Sequence, residues 1–233
     1  PSHLKSDDNT WFGLSKRSRI IVVAQDRVPK DKITRVEDLA SPEWRGKICS
    51  RPGSHVYNRA LMASMIAEHG HEKAHTWAAS LVENLARRPQ GNDRAQVKAI
   101  FEGQCDIAII NNYYFGKLKY SDDPSQQKWV EKLRLIFPNQ APSDRGAHIN
   151  ISGGGVVKFS KNKRDAIRLL EFLSMDEAQE MYGSINFEYP VNPKVEPVEV
   201  ISEWGDFKED KLPISTIAEL SMDAQKIIDS VGW

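Results

Sequence analysis

Three tyrosines follow strand-like segments of this sequence, where their side chains could gather at one site. The apolar run at residues 105–110 is followed by Asn111 and Asn112 and then by Tyr113 and Tyr114, and Tyr57 begins a helical pattern after a second short strand. Phenolic oxygens are hard ligands, and a bound cation lowers the pKa of a phenol from its usual value of about 10. Three phenols at one edge of a sheet would therefore suit a small, highly charged cation.

The elements that must position these tyrosines alternate between strands and helices. The β-branched run at residues 19–25 predicts a buried strand, and residues 47–50 and 105–110 predict two more. Predicted helices and a further strand follow at 57–68, 72–85, 94–101, 150–158 (strand), 163–173, 214–220 and 222–231. Such alternation predicts a doubly wound α/β layer, in which ligand groups collect at the carboxyl ends of strands.

Composition excludes several classes of function. The chain has 233 residues, and its 32 Lys and Arg balance 32 Asp and Glu, so no excess positive charge attracts nucleic acid or an anionic membrane. Its apolar runs are strand-sized, well below the ~20 residues that span a bilayer. The sequence opens at Pro1 without a methionine or a leader segment, and we expect the natural N-terminus to have been removed or left out.

Residues 71–75 form a literal HExxH pattern, which is typical of zinc proteases. That chemistry needs both histidines on one face inside a helix, a third protein ligand and an open position. His71 instead follows Gly70 at a helix start, and no later ligand has suitable spacing. We expect His71 and His75 to lie on a solvated helix–helix turn. The glycine run at residues 152–155 lacks a following GK[ST] and lies inside a strand pattern, so it does not predict a phosphate loop.

Two cysteines, Cys49 and Cys105, are too few for a disulfide framework and lack the spacing of metal ligands. Cys49 is predicted to end one strand and Cys105 to begin another. In a parallel sheet those ends lie on opposite edges, beyond disulfide reach, so two buried thiols are favoured over a bridge, which stays open as the alternative.

Longer segments carry a resemblance to a known family. Along the chain, and in the family's order, they read KICSRPGSHVYNRAL, RRPQGNDRAQVKAIFEGQCDIAI, IINNYYFGKL and GAHINISGGGVVKFSKNKRDAIRLLEFLS. Together they resemble the periplasmic ferric-ion-binding proteins of bacterial iron ABC transporters. The resemblance implies a type II periplasmic-binding-protein-like α/β fold with two lobes. It also implies that Tyr113 and Tyr114 are paired tyrosinate ligands of Fe(III) and that Tyr57 is the third.

The resemblance also implies further residues that would bind an anion or support the metal ligands. They are Arg19, Ser54, His55, Asn92 and Asn111. A synergistic anion such as carbonate or phosphate would suit them, because the permanent charge and fork geometry of an arginine can hold such an anion or steady a phenolate.

The sequence departs from the family at its start, where members carry an earlier segment of the first lobe. The first lobe is therefore expected to be incomplete. Its remnant would comprise residues 1–19 and 144–194, and the second lobe, which carries the tyrosines, would comprise residues 20–143 and 195–233.

The expected function is binding without catalysis. The resemblance implies a monomer in the periplasm that captures Fe(III) and delivers it to an ABC transporter permease, without any nucleic-acid partner. The alternative within the same fold is a binder of an organic or anionic solute, and the alternative of another class is a zinc hydrolase built on His71 and His75. Ferric tyrosinate absorbs visible light and the other two complexes do not, so colour separates the three.

Overall fold

The longest strand, β1 (Phe12–Ala24), lies at the centre of a six-stranded sheet. The computed structural model describes all 233 residues, Pro1–Trp233. The other strands are β2 (Ile48–Cys49), β3 (Ile107–Asn111), β4 (Leu133–Ile136), β5 (Ile149–Gly154) and β6 (Tyr189–Pro190). The first half of β1 pairs with β5 and β6, and its second half pairs with β3 and β4. One continuous strand therefore links two regions of pairing.

The prediction of a doubly wound parallel layer was wrong in its strand directions. β1 runs antiparallel to all four of its partners, and only β2 and β3 pair in parallel. Hydrophobic patterns report which residues are buried, but they do not report strand direction. The strand predicted at residues 19–25 begins earlier in the structure, at Phe12. The prediction missed this first half because the stretch before Arg19 is mostly polar and has no apolar run.

The helices follow most of the predicted segments. Their bounds are α1 (Val56–Glu83), α2 (Asp93–Phe101), α3 (Asn112–Lys119), α4 (Pro124–Val130), α5 (Lys163–Leu173), α6 (Asp176–Asn186), α7 (Glu199–Ser202), α8 (Ile214–Glu219) and α9 (Ser221–Val231), with 3₁₀ turns at Ser2–Leu4, Val36–Ala40 and Pro42–Trp44. α1 is two helical stretches that meet at Gly70, whose φ of 78° is open to glycine without strain. This break agrees with the two helices predicted around Gly70. None of the helices is both long and apolar enough to cross a bilayer.

Alternate residues of β1 supply the two cores on either face of the sheet. Ile21 and Val23 pack with α1, α8 and α9, whereas Ile20, Val22 and Ala24 pack with α2, α3 and α4. This is the period of two that a strand covered on both faces requires. Each of the fully buried Ile and Val side chains contributes about 1.5–3 kcal/mol to folding. The sheet that leads to the tyrosines is therefore rigidly held.

Helix α5 forms at its predicted bounds without burying any residue. Its apolar side chains Ile167, Leu169 and Phe172 are 45–56% exposed. The amphipathic pattern thus predicted the helix correctly, although the apolar stripe contacts no core in this structure.

The two cysteines form a disulfide between Cys49 and Cys105, with their Cα atoms 5.9 Å apart. The expectation of two free thiols was wrong. β2 has only two residues, so Cys49, which ends it, lies opposite Ala108 near the start of β3, and Cys105 comes just before that start. Because β2 is so short, its last residue lies close to the start of β3, and the two cysteines are within disulfide reach.

The disulfide should stabilise the fold by restricting the unfolded chain. It joins residues 56 apart in sequence, and the loop-entropy relation gives about 4 kcal/mol for a loop of that size. We expect the double variant Cys49→Ala and Cys105→Ala to lose about that free energy of unfolding in guanidinium titrations of the oxidised proteins. An unchanged transition midpoint would contradict this stabilisation.

Candidate metal centre

The structure brings the three predicted tyrosines together. The Tyr113 hydroxyl donates to the Tyr57 hydroxyl at 2.9 Å, and the rings of Tyr113 and Tyr114 lie 4.4 Å apart between centroids. Tyr113 is buried, at 9% exposure, and the other two are half-buried. The three phenols therefore form one cluster at the protein surface, which can present several oxygen atoms to a single small ligand.

The local path of the chain explains this convergence. Tyr57 lies in the first turn of α1, soon after β2, and Tyr113 and Tyr114 lie in the first turn of α3, directly after β3. β2 and β3 are the one parallel pair in the sheet, so both lead toward the same edge. Asn111 keeps extended dihedrals and the helix begins at the next residue. This abrupt change lets two neighbouring rings pack side by side.

Tyr113 carries a firmly held proton. Burial raises the pKa of its hydroxyl well above the ordinary value, and the hydrogen bond to Tyr57 raises it further. The amide of Asn111 donates to the Tyr113 oxygen at 3.5 Å and acts in the opposite direction, but it is the smaller influence. Tyr113 is therefore a neutral phenol in the metal-free protein, and any cation that binds its oxygen must displace a proton.

A buried ionic network lies beside the tyrosines. Arg19 Nη1 donates to Asp93 Oδ2 at 2.6 Å, and Arg51 Nη1 donates to Asp93 Oδ1 at 3.0 Å. The side chain of Asp93 has no exposed surface. The guanidinium carbons of Arg19 and Arg51 lie 5.7 and 4.9 Å from the ring centroid of Tyr57. Two cations and one carboxylate thus leave one formal positive charge next to the tyrosines.

Arg19 was predicted to lie near the metal or its anion, and the structure shows how its donors are used. Nη1 also donates to Asn111 Oδ1 at 3.1 Å, and Nη2 donates to Asn58 Oδ1 at 2.6 Å. Only Nε is buried without a partner. A cavity of about 10 Å³, which is about the space of one water, is lined by Arg17, Arg19, Tyr57, Asn111, His148 and Asn150.

Of the other residues predicted to support the ligands or an anion, His55 and Asn111 contact the tyrosines. His55 Nδ1 accepts the Tyr57 backbone N–H at 3.3 Å, and its ring packs edge-on against the Tyr57 ring. Burial and the charge of Arg51 lower the pKa of His55, which favours the neutral ring that this bond requires. Ser54 is exposed just before them. Asn92 Oδ1 accepts the Ala95 N–H at 3.1 Å, so Asn92 caps α2 and makes no hydrogen bond to a tyrosine.

The sequence reasoning missed several residues of the site. Asp93 reads as an ordinary acid in the first turn of a helix, and its role is visible only once Arg19 and Arg51 converge on it. Arg94 lies with its guanidinium carbon 5.2 Å from the ring centroid of Tyr114. His148 is buried among arginines, and burial with the charge of Arg145 lowers its pKa to about 3, so it is a neutral wall of the small cavity.

The HExxH histidines are far from forming a metal site. His71 is exposed and its Nε2 lies 3.2 Å from Asp223 Oδ2, and His75 is also exposed. The predicted surface location of both residues is confirmed. No group of three or more His, Cys, Asp or Glu side chains in the chain is placed to hold a metal ion.

The chain is similar to proteins of known identity. Residues 1–206 match bacterial extracellular solute-binding proteins. Iron uptake protein A2 of Synechocystis is 43% identical over 100% of this chain and 67% of its own length. The major ferric iron-binding protein of Neisseria meningitidis serogroup A is 27% identical over 95% of this chain and 64% of its own length. The chain thus spans about two thirds of the length of these relatives.

Solved structures agree over the whole chain. Apo FutA2 of Synechocystis superposes with a TM-score of 0.96 at 43% identity, covering 100% of this chain and 74% of that one. A Trichodesmium protein (IdiA, FutA), solved in complex with iron and citrate ligands, superposes with a TM-score of 0.96 at 44% identity. The match covers 100% of this chain and 73% of that one. The ferric-binding protein A of Mannheimia haemolytica in an open conformation gives 0.92 at 42% identity, covering 99% and 72%. These matches confirm the type II periplasmic-binding fold and the resemblance found in the sequence.

Removing the charge of Asp93 should destabilise the protein strongly. Asp93→Asn leaves Arg19 and Arg51 buried without their shared carboxylate, and breaking a buried ion pair typically costs about 3–5 kcal/mol. Asp106→Asn is the matched control, because Asp106 pairs with the partly exposed Arg27, and such pairs contribute about 1 kcal/mol or less. Equal losses in the free energy of unfolding of the two variants would refute this ranking.

Proposed function

The chain belongs to the family of bacterial extracellular solute-binding proteins, and we propose that it captures ferric ion in the periplasm for delivery to the permease of an ABC transporter. The observation that carries the proposal is the cluster of Tyr57, Tyr113 and Tyr114. The names of the relatives, which describe iron uptake and ferric-ion binding rather than catalysis, support it. The Cys49–Cys105 disulfide supports a place outside the cytoplasm, because disulfides persist in oxidising compartments.

The chemistry of the cluster favours a trivalent cation. Three phenolates would carry three negative charges and neutralise Fe(III), and anionic oxygen donors are the ligands that hard cations prefer. With a divalent ion the metal and its three phenolates would together keep one negative charge, and the ion would displace the phenolic protons less readily. Tyr57, Tyr113 and Tyr114 are therefore our proposed ligands.

An anion would complete the coordination of the ion. We propose that it lies against the loop that contains Ser54 and His55 and the start of α2, where Asn92 precedes the cationic Arg94. The relative solved with iron and citrate supports an anion of some kind. Carbonate and phosphate fit the same donors. Arg19 and Asn111 would not bind the anion but would hold Tyr57 and Tyr113 in place.

Two lobes would enclose the ion. We assign residues 1–19 and 144–194 to one lobe and residues 20–143 and 195–233 to the other. The pairing of β1 supports this division, since Ser18 pairs with β5 and Arg19 pairs with β3. The protein would act as a monomer, and its balanced charge gives no reason to expect a nucleic-acid partner.

Removal of one phenolic oxygen should weaken iron binding without unfolding the protein. We expect Tyr57→Phe and Tyr113→Phe each to lose at least about a hundredfold in Fe(III) affinity, or about 2.7 kcal/mol, and to shift the visible tyrosinate band. Citrate competition followed through that band measures both effects. Tyr120→Phe is the matched control, because Tyr120 follows the last residue of α3 and its hydroxyl donates to Glu203. This variant should leave the affinity and the visible band unchanged.

A wild-type protein without a visible band on addition of ferric citrate would refute iron capture. Retention of an organic or anionic solute by that same protein would then favour the alternative of a solute binder, with the tyrosines as stacking or hydrogen-bonding partners.

Iron affinity should fall as the pH falls. The raised pKa of Tyr113 means that its proton is bound at neutral pH in the iron-free protein and must leave on binding, so lower pH favours the iron-free state. A plot of log affinity against pH should therefore be steeper for wild type than for Tyr113→Phe, and the two slopes should differ by about one, because the variant releases one proton fewer. Comparing the two in the same citrate buffer cancels the protonation of the chelator. Parallel slopes would mean that Tyr113 does not bind the ion as a phenolate.

A further inference from the structure

Asn112 joins the tyrosine site to two distant segments of the chain. It is the first residue of α3, directly before Tyr113, and it has no exposed surface. Its Oδ1 accepts the Ser18 backbone N–H at 2.8 Å, and its Nδ2 donates to the Phe187 backbone carbonyl at 2.8 Å. Both ends of the amide are thus committed to the main chain of other elements.

The two contacted segments lie where the sheet changes partners. Ser18 pairs with Ile149 of β5, whereas the next residue, Arg19, pairs with Asn111 of β3. Phe187 ends α6 in a left-handed conformation, with φ of 59°, just before β6 pairs with the first half of β1. Asn112 therefore contacts the border between the β5/β6 part of the sheet and the β3/β4 part.

The rest of α3 also packs on the segment at Asn186 and Phe187. The ring of Phe187 stacks on Tyr120 at 5.6 Å between centroids, and a Cβ on Gly116 would meet the Phe187 ring at 2.5 Å. Lys117 Nζ donates to Asn186 Oδ1 at 2.8 Å. Any shift of the first turn of α3 must therefore be passed to this segment or break these contacts.

We propose that Asn112 is a positioning residue that couples occupancy of the tyrosine site to the arrangement of the two parts of the sheet, an inference that rests on the proposed iron binding. An ion bound to Tyr113 and Tyr114 fixes the first turn of α3, and Asn112 transmits that constraint to Ser18 and Phe187. The solved open conformation of the Mannheimia relative supports the existence of more than one arrangement in this family.

A purely structural role is the competing explanation, because Asn112 also satisfies a buried N–H and a buried carbonyl. Asn84 provides the matched control. It is a buried asparagine whose amide donates to the backbone carbonyls of Leu39 and Ser41, away from the tyrosines. Asn112→Leu and Asn84→Leu should both lower the thermal midpoint of the iron-free protein, since each removes a buried amide with two partners.

The coupling predicts effects that only the Asn112 variants show. We expect Asn112→Leu to release Fe(III) to citrate at least tenfold faster than wild type. We also expect it to lose the slowing of backbone amide exchange that iron causes at residues 12–24 and 186–190. Asn112→Asp retains an acceptor for the Ser18 N–H and is the second variant should Asn112→Leu not fold. Asn112→Asp should keep the iron-induced slowing of amide exchange at residues 12–24 and lose that slowing at residues 186–190.

The outcomes separate the two proposals. Wild-type iron release and a wild-type exchange response in the Asn112 variants, with only a lowered midpoint as in Asn84→Leu, would overturn the coupling. Faster release with an unchanged exchange response would also overturn it, because Asn112 would then position only the tyrosines. Absence of the visible band from wild type would overturn iron capture itself, and the coupling with it.

Discussion

The buried contact of Asp93 with two arginines is the interaction on which the site depends. Asp93 Oδ2 accepts from Arg19 of β1 and from the backbone N–H of Asn111, and Oδ1 accepts from Arg51 in the loop before α1. One carboxylate thereby ties together the central strand, the start of α3 and the loop that leads to Tyr57. Both of its oxygens accept from buried donors and its side chain has no exposed surface, so Asp93 is not available as a ligand of a bound cation.

The neighbouring charges and the burial of Tyr113 determine which ligands can displace a proton from the tyrosine cluster. The network leaves one formal positive charge beside Tyr57, and the buried hydroxyl of Tyr113 keeps its proton until a stronger partner arrives. A weakly charged ligand gains little by displacing that proton, whereas a trivalent ion gains a full ionic bond in a partly dry environment. Burial thus keeps the proton on Tyr113 in the iron-free protein, and a ligand of that oxygen must carry enough charge to displace it.

The sheet explains how an ion could act on the whole molecule. Ser18 and Arg19 are neighbours in β1, yet they pair with different strands, and the side chains next to the tyrosines contact both. A short path of hydrogen bonds therefore leads from Tyr113 to the point where the two parts of the sheet meet. The disulfide joins the end of β2 to the residues just before β3, and these are the two strands that precede the tyrosine-bearing helices α1 and α3.

The sequence by itself determined the segments and the residue types of the site. Apolar runs and helical periods predicted most strands and helices, and Tyr57, Tyr113 and Tyr114 were recognisable because each follows a strand. Tertiary structure decided the strand directions, the disulfide, and the roles of Asp93 and Asn112. These depend on atoms far apart in the chain: Asp93 and Arg19 are distant in sequence but 2.6 Å apart in space. Local propensity and periodicity report burial along one element, whereas pairing between elements is fixed only when the whole chain packs.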